Sequence, residues 1–385
     1  MRVLILSHGL PIGGTEVMIC HLARRLRAIG IEAVVGCLDV IGELGETLRN
    51  DGIELELYGR KPGLDLPLAG RIARHVKERG FDVVHAHQYT PFFYGALSKL
   101  RSRVPLVFTE HGRFHPDLPS AKRRLFNFVF SRLCDRITAV SAGVRRALDT
   151  VERISPARVQ VIYNGIDVDG LYQKSIAAKP TARAALDIPQ NARVLGTVGR
   201  LDSIKNHPLL LAAVARLAPS IPDLVLAIAG DGPERATLEA CAQELGIADR
   251  TRFLGMRRDL DRVYASFDLF ALSSFSEGTP MTLIEAMATR VPIVSTGVGG
   301  IPEIVTHDRE GLLVDGVPPS LPSAKELLAS EYTRRFADTL ATVLTDPKRA
   351  KGLADAGHER ARREFSVEAI TAQYVSVYES AISGR

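Results

Sequence analysis

Two glutamates whose carboxylates could bind a ligand or take part in a reaction, Glu277 and Glu285, lie in the stretch SSFSEGTPMTLIEAMA. The apolar run before it predicts a buried strand. Thr279 and Pro280 then favour a helix start, because threonine can cap a helix and proline suits a first turn that needs no backbone donor. The free N–H groups and partial positive charge of a helix start attract anions. The pair therefore fits a ligand with phosphates and hydroxyls, such as a sugar nucleotide, although a solvated loop glutamate and an ordinary helix glutamate would look the same in isolation.

Two cations follow another predicted strand, in the stretch VLGTVGRLDSIKNH. The strand is expected to end at Gly199, which places Arg200 and Lys205 in the loop after it. At the carboxyl end of a strand this pair suits a diphosphate, because arginine can hold two oxygens in a fork and lysine adds a point charge. Without further context, the same two residues also fit a pair of surface cations.

Glycine-rich turns follow three more predicted strands. Gly13 and Gly14 let the backbone approach a ligand at a helix start, which is one way to hold a phosphate. The segments 229–233 (AGDGP) and 253–255 (FLG) are places where a nucleotide base could meet backbone groups. None of the three matches GxGxxG, and each also fits a plain tight turn.

Three histidines close the set of candidate polar groups. His85 and His87 alternate along one predicted strand, so they share a face, but a metal site needs a third ligand and the sequence nominates none. His111 ends a further predicted strand, where it could hydrogen-bond a sugar hydroxyl or move a proton. A histidine that only fills the core or caps an element is the alternative for His111.

The elements that must position these residues alternate along the whole chain. Short β-branched runs alternate with helical patterns, which predicts α/β structure with parallel sheets covered by helices on both faces. In such sheets ligands bind at the carboxyl ends of the strands. The alternation pauses once, and it divides the chain into a first domain, a linker, a second domain and a last helix that we expect at 1–167, 168–191, 192–365 and 366–385.

Composition limits the class of protein. A composition of 46% hydrophobic and 24% charged residues is typical of a soluble globular protein, and a chain of 385 residues is long enough for two domains. Four scattered cysteines indicate reduced thiols and a cytoplasmic location, and we expect neither a signal peptide nor a membrane span. The net charge of +5 is concentrated in the first half of the chain, which indicates an anionic partner such as a membrane surface or nucleic acid.

A basic and aromatic stretch at 121–136 shows this charge most clearly. It contains Lys122, Arg123, Arg124 and Phe126. Folded as a helix, it would carry basic and aromatic residues on different faces, which suits contact with an anionic membrane or an acceptor. A core helix with a charged outer face is the alternative.

Taken together, these motifs resemble the retaining GT-B glycosyltransferases of family 4, also described as glycosyl transferases group 1. The resemblance covers nearly the whole chain, and its most specific segments are FLG, SEGTPMTLIEAMA and STGVGGIPEIV in that order. It implies two Rossmann-like domains with parallel sheets facing a central cleft, and a C-terminal helix that crosses back to the first domain. It also implies a nucleotide-sugar donor and no metal or other cofactor.

The resemblance assigns roles to individual residues. Arg200 and Lys205 would bind the diphosphate, Glu285 the ribose hydroxyls, and Glu277 and His111 the transferred sugar. The catalytic set is then Glu277, His111, Arg200 and Lys205. The full donor-binding set is Gly13, Gly14, Arg200, Lys205, Gly255, Met256, Glu277, Gly278, Thr279, Pro280, Met281, Thr282, Leu283 and Glu285.

The expected function is therefore sugar transfer from a UDP- or GDP-sugar to a glycan or lipid-linked acceptor, in cell-surface polysaccharide, lipopolysaccharide or glycolipid biosynthesis. The protein would be cytoplasmic, with peripheral contact to the membrane. A sugar-nucleotide epimerase on the same fold is a second enzymatic hypothesis. A basic protein that binds nucleic acid or an anionic surface is a third, although no nucleic-acid motif is present.

Overall fold

The computed structural model describes residues 1–112, 128–317 and 324–384. The chain divides into two compact units. The first contains Met1–Ile166 together with Phe365–Arg385, and the second contains Asp167–Glu364. Each unit is built on one parallel sheet, so the predicted α/β class with two Rossmann-like sheets is confirmed. No helix within the described ranges combines the length and apolarity needed to cross a bilayer.

The first unit has seven strands in the order β3-β2-β1-β4-β5-β6-β7. These strands are β1 Arg2–Gly9, β2 Glu32–Val40, β3 Glu54–Leu57, β4 Val83–His87, β5 Leu106–Glu110, β6 Arg136–Ala139 and β7 Val159–Val161. The helices between them are Gly14–Ala28, Gly42–Asn50, Leu66–Glu78, Tyr89–Ser102 and Ala142–Thr150, with a 3₁₀ turn at Pro156–Arg158.

Alternate residues of the central strands enter two different apolar clusters. On β1, Val3 and Ile5 pack with the Gly14–Ala28 helix, whereas Leu4 and Leu6 pack with the Leu66–Glu78 helix. Because side chains alternate across a sheet, a strand buried on both faces is a nearly continuous apolar run. The first predicted strand has this character.

The last helix, Val367–Ser383, also belongs to the first unit. Its tyrosines reach into the sheet, where the Tyr378 hydroxyl lies 2.7 Å from Nδ1 of His85. The other His85 nitrogen lies 2.7 Å from the hydroxyl of Thr109, which lies 2.6 Å from that of Thr138. This buried polar chain ties the C-terminal helix to β4, β5 and β6.

The second unit has six strands in the order β10-β9-β8-β11-β12-β13. They are β8 Arg193–Val198, β9 Leu224–Ala229, β10 Thr251–Gly255, β11 Leu269–Leu272, β12 Ile293–Thr296 and β13 Leu312–Val314. The helices are Val168–Ala185, His207–Leu217, Arg235–Glu244, Leu260–Ala265, Met281–Ala288, Ile301–Ile304, Ala324–Ala329, Glu331–Leu344 and Pro347–Glu364, with 3₁₀ turns at Ser203–Lys205 and Ala248–Arg250.

The segment predicted as a linker, 168–191, differs from the prediction. Most of it is the Val168–Ala185 helix, which lies in the second unit and contains Pro180. Asp167 caps this helix by accepting a hydrogen bond from the Gly170 N–H at 2.9 Å. Only Val168, Ser175 and Ala182 are buried, one every two turns, so the helix lacks the broad apolar stripe by which a surface helix is usually detected.

Candidate functional site

The predicted site residues of the second unit gather where its strand order reverses. β8 pairs with β11 at the centre of the sheet, although β9 and β10 lie between them in sequence. Reversals of this kind leave a crevice at the carboxyl ends of the two strands, where open α/β sheets bind ligands. The loop after β8 carries Arg200 and Lys205, and the loop after β11 carries Glu277.

The structure brings Lys205 and Glu277 into a direct ion pair. Nζ of Lys205 lies 2.7 Å from Oε1 of Glu277, and the Ser274 hydroxyl donates to the same oxygen at 2.6 Å. Both charged side chains are largely buried, with 20% of the Lys205 side chain and 9% of the Glu277 side chain exposed. The pair lies 72 residues apart in sequence, and only the adjacency of β8 and β11 joins it.

The backbone of the Glu277 loop rests on a second loop, after β12. The Gly300 N–H donates to the Glu277 carbonyl at 3.0 Å. Gly299 has φ of +57°, and a Cβ on Gly299 would overlap the Glu277 backbone, while one on Gly300 would overlap the Gly278 carbonyl oxygen. The two glycines of STGVGGIPEIV therefore allow the backbones to touch. They lie directly beside Glu277, although they are not among the predicted site residues.

The helix after Glu277 begins one residue later than the motif suggests. It spans Met281–Ala288, and Pro280 takes the capping position with φ of −70° and ψ of 110°. Its first turn presents the backbone of Met281 and Thr282, and Gly278 in the preceding loop is exposed. Leu283, another predicted donor-binding residue, is fully buried in the core, and its N–H donates to the Pro280 carbonyl oxygen at 3.1 Å, so it is not presented to a ligand. The predicted arrangement of one glutamate before the helix and one inside it is present.

Glu285 is partly buried on this helix and has a partner that the sequence analysis missed. The hydroxyl of Tyr264 donates to Oε2 of Glu285 at 2.7 Å. Burial raises the pKa of the Glu285 carboxyl above its usual value, and the hydrogen bond from Tyr264 opposes that rise. Tyr264 lies on the short Leu260–Ala265 helix, and nothing in its local sequence links it to Glu285.

Arg200 does not join the ion pair. Its side chain is 70% exposed, and its Nε lies 3.9 Å from Oδ2 of Asp202. An exposed guanidinium at the carboxyl end of β8 is available to an anion. Met256, another predicted donor-binding residue, is similarly exposed at 74%.

The glycines in the loops after β8, β9 and β10 hold these loops together. The Gly230 N–H donates to the Gly255 carbonyl at 2.8 Å, and the Leu201 N–H donates to the Asp231 carbonyl at 3.0 Å. Gly230 has φ of +141°, and a Cβ there would overlap the Gly199 carbonyl. The close contact between loops thus explains why a glycine is needed at position 230. Contact with a nucleotide base is not required to explain it.

In the first unit, the Gly13–Gly14 turn leads into the Gly14–Ala28 helix. Gly13 is extended at the capping position, and a Cβ on Gly14 would meet no atom within 4 Å. The carboxylate of Glu16 folds back to the same helix start, close to Gly13. Burial raises the pKa of Glu16. The space at Gly14 is therefore open, and an acidic side chain borders it.

The three histidines lie together at the carboxyl ends of β4 and β5. The rings of His85 and His87 are 4.0 Å apart between centroids, and Nδ1 of His87 lies 2.9 Å from Nε2 of His111. Burial lowers the pKa of His111 and of His85 to about 3, so both rings are neutral near pH 7. A neutral His111 can hydrogen-bond a hydroxyl but supplies no positive charge.

Two further sequence expectations concern metal and membrane contact. No group of three or more metal-ligating side chains occurs in the part of the chain that the structure describes. Lys122, Arg123, Arg124 and Phe126 lie outside the described residues. Immediately after them, Phe128 and Val129 are about half exposed.

Two family models match the chain, one on each unit. The model described as Glycosyltransferase Family 4 matches residues 12–169, and the model described as Glycosyl transferases group 1 matches residues 178–360. Among curated relatives, the D-inositol 3-phosphate glycosyltransferase of Corynebacterium efficiens is 30% identical over 99% of this chain and 90% of its own. The N-acetyl-alpha-D-glucosaminyl L-malate synthase of Bacillus anthracis is 28% identical over 82% of this chain and 79% of its own.

Solved structures share the architecture. The crystal structure of HepE from Anabaena in complex with UDP aligns with a TM-score of 0.82 at 25% identity, covering 99% of this chain and 100% of that one. A glycosyltransferase from Rickettsia africae aligns with a TM-score of 0.85 at 18% identity, covering 100% of this chain and 99% of that one. The second likeness concerns the fold alone.

Proposed function

Because the chain belongs to glycosyltransferase family 4 and has the GT-B type of fold, we propose that it transfers a sugar from a UDP- or GDP-sugar with retention of configuration and without a metal. The observation that carries the proposal is the Lys205–Glu277 pair at the switch point of the second sheet, beside a helix start. A cation, a carboxylate and the N–H groups of a helix start lie together at the carboxyl ends of neighbouring strands. They match the diphosphate and hydroxyls of a sugar nucleotide.

Two observations support a nucleotide-sugar donor: the arrangement of charged groups in the second unit and the similarity to a solved structure that contains UDP. HepE from Anabaena, whose chain this one resembles at 25% identity, was crystallised with UDP and with UDP-glucose. In this chain, Glu285 would accept ribose hydroxyls, while Arg200 and Lys205 would hold the diphosphate.

We propose that catalysis rests on stabilising the leaving diphosphate. Negative charge gathers there as the glycosidic bond breaks, and Lys205, Arg200 and the N–H groups at the Met281–Ala288 helix start would balance it. These fixed cations and dipoles can supply the charge that a metal supplies in other transferases. Glu277 would orient the sugar rather than attack it, because its Oε1 is already held by Lys205 and Ser274. Retention would then follow from same-face attack by the acceptor, and His111 would bind a hydroxyl of the donor sugar.

For the acceptor, we propose a glycan or a lipid-linked sugar of cell-surface polysaccharide, lipopolysaccharide or glycolipid biosynthesis. The protein would work in the cytoplasm, with peripheral contact to an anionic membrane through the stretch that contains Lys122, Arg123, Arg124 and Phe126. A small hydroxylated acid is the second candidate, because two relatives are named for D-inositol 3-phosphate and for L-malate.

Nucleotide release tests the proposal. The purified chain is incubated with UDP- and GDP-sugars, each with lipid-linked and glycan acceptors or with inositol phosphates and hydroxy acids. We expect release that requires one acceptor class, and a product whose anomeric proton coupling matches that of the donor. Release unaffected by EDTA would agree with metal independence. Failure of every donor to give release or transfer would contradict the proposal, while conversion of the donor sugar without an acceptor would favour an epimerase.

The loop contact at Gly300 gives a separate prediction. Gly300→Ala would push the new methyl group against the Gly278 carbonyl and displace the Glu277 loop. A displacement of about 1 Å at a reacting group typically lowers turnover about 100-fold. We expect this loss in the nucleotide-release assay. Gly352→Ala is the matched control, because a Cβ there meets no atom within 4 Å, and it should keep full activity. Equal activity of the two variants would show that the contact does not position Glu277.

A further inference from the structure

The contact between Tyr264 and Glu285 joins two short helices of the second unit. Tyr264 is fully buried, and its hydroxyl lies 2.7 Å from Oε2 of Glu285 and 3.1 Å from the carbonyl oxygen of Thr282. Its ring packs against Phe267 and Phe270, with centroids 5.8 and 5.9 Å away. The aromatic packing fixes the ring, and the two oxygen contacts fix the hydroxyl between the helix backbone and the carboxylate.

The other oxygen of the carboxylate has a different environment. Among the described residues, no group hydrogen-bonds to Oε1 of Glu285, and Oε1 is not one of the fully buried orphan atoms. A carboxylate with one oxygen held by a buried tyrosine and the other open is oriented before any ligand arrives. Pre-orientation of this kind reduces the conformational entropy that the side chain loses when a ligand binds.

We propose that Tyr264 is a positioning residue for nucleoside recognition: its hydroxyl holds Oε2 of Glu285 so that Oε1 accepts a ribose hydroxyl of the donor. The inference rests on the proposed function, in which Glu285 contacts the ribose. It adds a residue that no sequence motif nominates, 21 positions before the glutamate it serves. Tyr264 itself touches neither the ribose nor the reacting atoms.

The electrostatics of the Tyr264–Glu285 contact should make nucleotide binding depend on pH. Burial raises the pKa of Glu285, and the Tyr264 hydrogen bond lowers it, because that bond stabilises the ionised form. Without the hydroxyl the carboxyl takes up a proton at higher pH, and a protonated carboxyl is a weaker acceptor for a ribose hydroxyl. Loss of the hydroxyl should therefore weaken nucleotide binding most at low pH.

Other titratable groups lie at both ends of this helix: the Lys205–Glu277 ion pair precedes its first residue, and His358 and Asp355 lie at its C-terminal end. Nδ1 of His358 lies 2.8 Å from the Ala288 carbonyl oxygen, and Asp355 forms an ion pair with Arg290 at 3.5 Å. Within the described residues, Tyr264 is the titratable side chain that hydrogen-bonds to Glu285. A pH effect specific to Tyr264→Phe can thus be separated from the titration of His358, which both the wild type and the variant retain.

The test measures the Kd for UDP and GDP by calorimetry between pH 5.5 and 8.5. For the nucleotide that the wild type binds, Tyr264→Phe should weaken binding about 10-fold at the lower end of the range, the effect of losing a hydrogen bond to a charged group. The difference should shrink as the pH rises. In turnover, the loss should appear in KM for the donor and leave kcat nearly unchanged. Tyr332→Phe is the matched control, because that hydroxyl also donates to a backbone carbonyl in the same unit, at 2.9 Å, away from Glu285.

The Glu285→Gln background separates positioning from a general structural role. There the Tyr264→Phe change should no longer alter the pH dependence of binding, because no carboxylate remains to be held. An identical pH profile for wild type and Tyr264→Phe, or the same loss in the Glu285→Gln background, would overturn the inference. If the wild type binds neither UDP nor GDP, the proposed function fails and the inference fails with it. If the wild type binds and Glu285→Gln weakens binding, a silent Tyr264→Phe overturns the positioning role alone.

Discussion

Replacement of Glu277 by glutamine is expected to lower the turnover number about 100- to 1,000-fold, the usual effect of removing one pre-organised electrostatic group from an active site. Glutamine keeps the size of the side chain, and the Ser274 hydroxyl can still donate to its amide oxygen. The negative charge beside Lys205 is lost, and with it the group that orients the sugar hydroxyls in the proposed function. The rate of nucleotide release at saturating donor and acceptor measures the effect.

The control for this experiment is Glu244→Gln, an exposed glutamate at the end of a helix in the same unit. It should keep wild-type activity and melting temperature. Retention of near wild-type transfer by Glu277→Gln would remove Glu277 from the machinery and leave the Lys205–Glu277 pair with a structural role.

Replacement of Lys205 by methionine should affect both activity and stability. Methionine keeps the length of the side chain but leaves the Glu277 carboxylate, whose side chain is 9% exposed, without its cation. An uncompensated buried polar group costs about 1–3 kcal/mol, so we expect a lower melting temperature. Transfer should fall about 100-fold or more if Lys205 stabilises the leaving diphosphate as proposed.

The double variant, Lys205→Met with Glu277→Gln, distinguishes the two effects. Removal of both charges removes the uncompensated carboxylate, so the melting temperature should recover toward the wild type. Activity should stay low, since neither group remains to act on the donor. Lys174→Met, at an exposed position of the Val168–Ala185 helix, is the control and should change neither quantity. A double variant as unstable as Lys205→Met would show that the ion pair is not the source of the instability.

Strand positions could be predicted where burial on both faces makes the sequence pattern strong. Within the described residues, the strands predicted before Arg200 and before Glu277 are present as β8 Arg193–Val198 and β11 Leu269–Leu272, and nearly all of their residues are buried. The missed strand, β3, reads ELEL and lies at the edge of its sheet, where no residue is fully buried. A short half-exposed edge strand carries too little apolar pattern to stand out from a loop.

The contacts between site residues could not be predicted in the same way, because they depend on the order of the strands in the sheet rather than on a local sequence pattern. The sequence nominated Lys205 and Glu277 separately, and their contact exists because β8 and β11 are neighbours in the sheet. Tyr264 could not be predicted as a site residue, because a tyrosine beside apolar residues is typical of a core. The carboxylate that its hydroxyl contacts, that of Glu285, lies on another helix.

Motifs and burial periodicity were enough to predict the α/β class, the family and the candidate residues, because both are local properties of the chain. Tertiary structure alone decided which groups meet: the buried ion pair of Lys205 and Glu277, the glycine contact behind it, and the Tyr264 hydroxyl on Glu285. It also turned the expected linker into a helix of the second unit. The physical reason is that hydrogen bonds and ion pairs form between groups brought close by packing, and sheet order sets that proximity across many residues of sequence.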